Sequence, residues 1–164
     1  MHWHVSDRFD VRALPLADRH YNRRAVGSPQ FVPPGRCLVL LTAAADALWV
    51  SSWQLPEWVK HAWPRAWVNT LFRNESDELS SDLIREAVAA TRARWAVAPE
   101  QGMVTFVDAR KVRRKRDPGR CYRRAGFSHV GFTKGGLHVL QMLPADMPVA
   151  AHALGAQTTF GEAA

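Results

Sequence analysis

The sequence predicts an α/β fold, one domain with a central mixed sheet flanked by helices. Three observations carry that expectation. Short apolar, alternating or β-branched runs recur at 36–42, 47–53, 67–72, 103–107, 127–133 and 137–142. One segment, 80–95, repeats its apolar residues at helical spacing instead. A chain of 164 residues, 47% hydrophobic and 23% charged, has the length and composition of a single domain with its own core.

Taken in order, residues 16–24 (L-A-D-R-H-Y-N-R-R) read as a short helix, started by Pro15 and stopped by Gly27-Ser28-Pro29. Pro33-Pro34-Gly35 is a firm break. Two strands follow, 36–42 and 47–53, with a turn around Ala45-Asp46. Residues 54–65 form a Pro- and Trp-rich excursion, long enough to carry function. A strand at 67–72 leads to the long helix, capped by Ser80 or Ser81, with Leu83, Ile84, Ala87, Val88, Thr91 and Trp95 on one face. Gln101-Gly102 then precedes a central strand at 103–107. Asp117-Pro118 opens a short helix over 118–125, as N-cap and first helical residue. Strands 127–133 and 137–142 close the fold as a hairpin around Lys134-Gly135-Gly136. The domain spans 1–149, and the Ala-rich segment 150–164 is expected to be a loosely held tail.

Net charge is +7, which favours an anionic partner: nucleic acid, a phosphorylated cofactor or an acidic membrane. The membrane is the weakest of these, because the longest apolar stretches are too short to span a bilayer. Residues 1–10 hold no apolar core of a secretory signal. Cys37 and Cys121 have neither metal-site spacing nor disulfide density and read as small buried hydrophobes. A reducing cytoplasm is the expected location. His2, His4, His61, His129, His138 and His152 lack metal spacing with a second ligand and read as bystanders. Five of the seven tryptophans, Trp49, Trp53, Trp58, Trp63 and Trp67, lie within nineteen residues. They serve core packing, or some of them stack on a base or an adenine ring.

The segment 104–127 holds most of the chemistry. V-T-F-V-D ends an apolar strand on Asp108, and nine of the fifteen residues in 110–124 are Arg or Lys. Such a run is either a solvated face or, fixed between a strand and a turn, a cluster of guanidinium groups built to meet phosphates.

The phrase Cys121-Tyr122-Arg123-Arg124-Ala125-Gly126-Phe127, with this element order, resembles the GNAT acyltransferase fold. The resemblance implies that Tyr122 protonates the leaving thiolate of an acyl-CoA donor. It departs from that family between strand and long helix. There GNAT enzymes cradle pyrophosphate on a glycine-rich turn, but this chain reads Arg73-Asn74-Glu75-Ser76-Asp77-Glu78-Leu79-Ser80-Ser81, with no glycine and three carboxylates. Ser80 and Ser81 remain as the cofactor-binding candidates, and the activated acyl or aminoacyl donor stays open. Arg73-Asn74-Glu75 reads as a structural ion pair or a catalytic part at the sheet edge.

Arg19-His20-Tyr21, a Gly/Pro-rich loop and a distant strand-end aspartate are similar to the Mom family of phage DNA-modification proteins, divergent members of the GNAT fold. That resemblance implies conversion of adenine in DNA to an N6-carbamoylmethyl-type derivative, as protection from restriction. It also implies iron held by His20, Tyr21 and Asp108, which with Tyr122 make the catalytic candidates. Residues side by side on a helix diverge by about 100°, so sharing one metal requires local unwinding at Tyr21 or an indirect role for it. The alternatives are a capping or surface role for His20, and for Asp108 an ion pair with Arg110 or Arg113. Arg19, Arg23, Arg24, Arg110, Lys111, Arg113, Arg114, Lys115 and Arg116 would bind double-stranded DNA, and a homodimer is allowed. Two other readings compete: a conventional acyl-CoA N-acyltransferase on a small amine or protein, and a non-catalytic nucleic-acid-binding module.

Overall fold

The computed structural model describes residues 1–112 and 117–155. Seven strands form one sheet: β1 (Trp3–Ser6), β2 (Arg36–Thr42), β3 (Ala47–Trp53), β4 (Trp67–Asn74), β5 (Met103–Val107), β6 (Ser128–Phe132) and β7 (His138–Met142). Among the described residues three α-helices accompany them: α1 (Leu14–Asp18), α2 (Ser80–Arg94) and α3 (Arg120–Ala125). The strand order is β1-β2-β3-β4-β5-β7-β6. Every neighbouring pair is antiparallel except β4 and β5, which are parallel because α2 carries the chain back between them. The α/β single domain with a mixed sheet is therefore as the sequence predicts.

Period-two alternation sorts the strand residues onto two faces. Leu38, Leu40, Ala47, Trp49, Trp67, Met103, Leu140 and Met142 pack with Leu83, Ile84, Ala87 and Val88 of α2 and with Tyr122 and Ala125 of α3. Val39, Leu41, Leu48, Val50 and Leu71 face the other way, under Leu16 and Ala17 of α1 and the loop residues Phe31 and Val32. Farther along that second face, Val68, Val104 and Val139 form a smaller apolar patch with Trp63 and Phe106 at its border.

The strands at 36–42, 47–53 and 103–107 match the sequence reading, and the fourth runs two residues past it, to Asn74. Three expectations need correction. The first helix ends at Asp18 rather than continuing through Arg24. The reason is local: the Asp18 carboxylate accepts from Arg23 Nε at 2.8 Å and from the Gly27 amide at 3.0 Å, which folds residues 19–27 back as a loop. Neither Ser80 nor Ser81 caps α2, since the N-cap residue is Leu79 and no side chain caps it. Asn74 closes that junction instead, donating from Nδ2 to the Glu78 carbonyl at 2.8 Å and to Ser80 Oγ at 3.0 Å. The last helix starts at Arg120, with Gly119 and not Asp117 as N-cap. Gly119 has φ +76, and a Cβ there would run into the Leu140 side chain, so glycine answers both the turn and the close approach.

β1 and residues 150–155 were not legible as structure in the sequence, and the rest of the expected tail, 156–164, lies outside the described residues. Trp3 is fully buried and donates from Nε1 to the Leu83 carbonyl at 2.8 Å. Leu154 then pairs with this edge strand: Val5 N donates to Leu154 O and Leu154 N to Trp3 O, both at 2.9 Å. Ala151 N donates to Ala89 O of α2, and Ala153 joins the main core. Residues 150–155 are thus docked on the domain.

Candidate functional site

Parallel β4 and β5 pair over only three rungs, Trp67–Met103, Val68–Val104 and Asn69–Thr105. β4 then runs on to Asn74 and β5 to Val107 with no rung recorded between them, so the sheet forks. A bulge on β4 helps to open it: Val50 pairs with Leu71 and Ser51 with Asn69, leaving Thr70 as the extra residue. Asn69 fills the bulge. Its Nδ2 donates to the Val50 and Leu71 carbonyls at 3.1 and 2.9 Å, while its Oδ1 accepts from Thr105 Oγ1 at 3.1 Å and Tyr122 Oη at 2.7 Å.

Two cavities meet at this fork. One, of about 270 Å³, opens beside Phe72, Val107, Cys121 and Tyr122 and reaches Ser80. The other, of about 430 Å³, lies beside Val68, Asn69, Phe106 and Asp108. Tyr21 borders both. A third cavity of about 410 Å³ lies between the starts of α2 and α3, lined by Ser80, Ser81, Gly119, Arg120, Cys121 and Arg124.

Because α1 stops at Asp18, His20 and Tyr21 are loop residues and the expected 100° divergence does not arise. Their rings stack, with centroids 4.5 Å apart and planes 28° from parallel. Burial, helped by the positive charge of Arg73, lowers the His20 pKa to about 4, so the imidazole is neutral at pH 7. Burial also raises the Tyr21 phenol, and a hydrogen bond with the Asp108 backbone opposes that rise. Asp108 is 7% exposed, and its Oδ1 accepts from the Arg110 amide at 3.1 Å and from Arg110 Nε at 3.0 Å. That pairing lowers the Asp108 pKa, with Lys111 adding a smaller pull. Tyr122 is buried, its pKa is raised well above 10 by desolvation, and its hydroxyl stays protonated.

Tyr21 and Asp108 are therefore neighbours on one cavity, and His20 sits behind Tyr21 on the other. The three do not fit a cation as they stand. The Asp108 carboxylate is held by the Arg110 guanidinium, and Arg73 places positive charge beside His20. Among the described residues no cluster of three His, Cys, Asp or Glu side chains could hold a metal.

The basic residues divide. Arg19 is committed to Glu75, through Nε and Nη2 at 2.7 Å each, and Arg73 joins the same carboxylate. Together the two guanidiniums lower the Glu75 pKa to about 2. Arg23 is held inside its loop by Asp18 and the carbonyls of Ser28 and Gln30. Arg110 is taken by Asp108 and the Gly135 carbonyl. Each of these three, expected as a phosphate contact, thus has a carboxylate partner within the chain. Arg24 and Lys111 are exposed on the rim of the larger cavity. Arg113, Arg114, Lys115 and Arg116 lie outside the described residues. Arg73-Asn74-Glu75 is the structural alternative: Arg73 also donates to the Arg19 carbonyl and anchors the loop that carries His20.

Of the tryptophans that could stack on a base, Trp53 packs on Trp67 and Trp95 with Arg36 over its ring, and Trp58 is exposed and lines neither cavity at the fork. Only Trp63 lies near the larger cavity, through Phe106. Asn69 was missed, because nothing in a lone Asn within an apolar run marks the bulge it fills. Cys37 and Cys121 are half-buried rather than buried. No helix among the described residues is long and apolar enough to cross a membrane. Comparison with family models, with curated proteins and with solved structures found no significant match.

Proposed function

We propose that this protein is a GNAT-like transferase that modifies adenine in DNA, adding an N6-carbamoylmethyl-type group as the similarity to the Mom family implies. The observation that carries the reading is the fork itself. A groove from Ser80 and Ser81 along Tyr122, open to a donor, meets at Tyr21 a second cavity, open to an acceptor, with cations on its rim. The order of strand, long helix, parallel strand, short tyrosine-bearing helix and hairpin supports the GNAT-like part. The excess of positive charge supports a polyanionic substrate.

The side chains fit transfer to an amine. For the carbamoylmethyl product the amine nitrogen attacks the methylene carbon of an activated carbamoylmethyl donor, and the N–CH2 bond forms as the bond from that carbon to the leaving group breaks; attack on an acyl carbon gives an amide instead. Tyr122, neutral in its buried position, can give its proton to the leaving group in place of its bond to Asn69. Asp108, kept ionised by Arg110, can take the proton that the amine loses, and solvent returns it to Tyr122. Iron has no step here, since two of its three proposed ligands, Asp108 and His20, are paired with or flanked by guanidinium groups.

The test is nucleoside mass spectrometry on DNA from cells expressing the protein, together with metal analysis of the purified chain. A modified adenosine that disappears in Tyr122→Phe supports the proposal, and unmodified nucleosides beside abundant folded protein overturn it. A conventional acyl-CoA N-acyltransferase is the second reading. It is favoured by one observation: Arg19 and Arg73 neutralise Glu75, so the entry to α2 is less hostile to pyrophosphate than its sequence reads. Saturable acetyl-CoA binding with unmodified DNA would select it.

A further inference from the structure

The larger cavity has a wall that the proposed chemistry leaves unused. His61, from the excursion before β4, and Phe106, from β5, both line it, with ring centroids 5.1 Å apart. Trp63 stands 6.4 Å from each of them. Spacing in the sequence marks His61 as a bystander, yet the fold sets it in an aromatic cluster. Burial lowers its pKa, and its Nδ1 accepts the Trp63 amide at 3.1 Å, so the ring is neutral with its proton on Nε2. Neutral rings of this kind offer π faces to a flat heteroaromatic ligand.

The polar groups around that wall suit the edge of such a ligand. Asn22 and Gln54 line the cavity, and Thr70 Oγ1, in the bulge, is buried without a hydrogen-bond partner among the described residues. Asp108 brings a carboxylate, which repels a phosphate inside the cavity but accepts from an exocyclic amino group. Positive charge sits at the mouth, on Arg24 and Lys111. Apolar faces within, hydrogen-bonding groups at the edge and cations outside match a base on its sugar-phosphate chain.

We infer that this cavity is a nucleobase subsite: one base extruded from DNA stacks against Phe106 and His61, with flanking phosphates at Arg24 and Lys111. Naming DNA as the source rests on the proposed function, whereas recognition of the ring does not need transfer to occur. A base inside a duplex cannot reach such a pocket, so single-stranded or locally opened DNA is the form bound.

The experiment measures binding of the full chain to two labelled oligonucleotides by fluorescence anisotropy. One is an abasic sugar-phosphate chain with a single central adenine, and the other is abasic throughout. The adenine should tighten binding roughly ten-fold, the scale of one stacked base. His61→Ala and Phe106→Leu should each remove most of that difference while leaving the all-abasic affinity unchanged. Equal binding of the two oligonucleotides by the unaltered protein overturns the subsite, even if either variant fails to fold. Displacement by an equal concentration of adenosine monophosphate assigns the cavity to free nucleotides and overturns the DNA assignment. Base-dependent binding with unmodified DNA in cells keeps the subsite and removes the transferase, and modified DNA with base-independent binding does the reverse.

Discussion

Tyr122 Oη donates a 2.7 Å hydrogen bond to Asn69 Oδ1, at the last rung that joins β4 to β5. This single contact ties the short helix after β5 to the bulge in β4. Asn69 uses all four of its hydrogen-bonding positions there, so it holds the fork open and fixes the phenol beneath it. Asn69→Ala removes the partner of groups on four elements and should lower the urea-unfolding free energy by about 2–4 kcal/mol. Tyr122→Phe should cost only about 1 kcal/mol, because Asn69 Oδ1 keeps Thr105 as a partner. Equal losses from the two variants would contradict the central place given to Asn69.

The native state resists protonation of His20, whose pKa falls from 6.5 to about 4 on folding. Between those values the unfolded chain binds more protons, so stability rises with pH across the window and is complete above about 6.5. Acidification from pH 7 to pH 4 should cost up to about 3 kcal/mol at this residue. Glu75, held down to about 2 by Arg19 and Arg73, adds only a small further loss as pH falls from 4.5, because its pairs are partly exposed. Urea titrations at pH 7 and pH 5 test the first step. In His20→Gln the difference between those two pH values should shrink, and an unchanged difference would place the acid sensitivity elsewhere.

Glu75 hides two guanidinium groups from any polyanion. Neutralising it in Glu75→Gln should release Arg19 and Arg73 and tighten non-specific DNA binding. The slope of log affinity against log salt should steepen by up to about 0.9 for each cation that gains a phosphate. Arg24→Gln and Lys111→Gln should each flatten the slope by a similar amount. Filter-binding or anisotropy titrations over a range of salt decide this, and a slope unchanged by all three substitutions would move the DNA contact off this rim. Stability should change little in Glu75→Gln, since the pairs are partly exposed.

Ending the chain after Val149 removes Ala151, Ala153 and Leu154 from β1 and α2. The loss of three backbone hydrogen bonds and one buried methyl group should cost about 2 kcal/mol. For a domain of this size the Tm should fall by about 4–8 °C in a thermal melt followed by circular dichroism. An unshifted Tm would mean that the segment contributes nothing to folding.

The sheet interior was legible because alternation and β-branched residues are local properties. Arg36–Thr42, Ala47–Trp53 and Met103–Val107 emerge from pattern alone, and so does the long helix through Leu83, Ile84, Ala87 and Val88. Trp3–Ser6 was not, because four residues with mixed polarity become a strand only by pairing with β2 and accepting Leu154 on the outer edge. Helix ends failed for a related reason. Asp18 stops α1 by reaching Arg23 and Gly27, and Asn74 rather than a serine organises the start of α2.

The candidate site divides along the same line. By itself the sequence determined the chemistry available: an excess of cations, a strand ending on Asp108, a tyrosine on the last helix and a His-Tyr pair near the start. The tertiary structure decided which of these remain usable. Ion pairing depends on distance in space, so Arg19, Arg23 and Arg110, alike in sequence to Arg24, pair with Glu75, Asp18 and Asp108. Neither periodicity nor composition records where two parallel strands part, and that parting, held by Asn69 and Tyr122, makes the cavities around Tyr21.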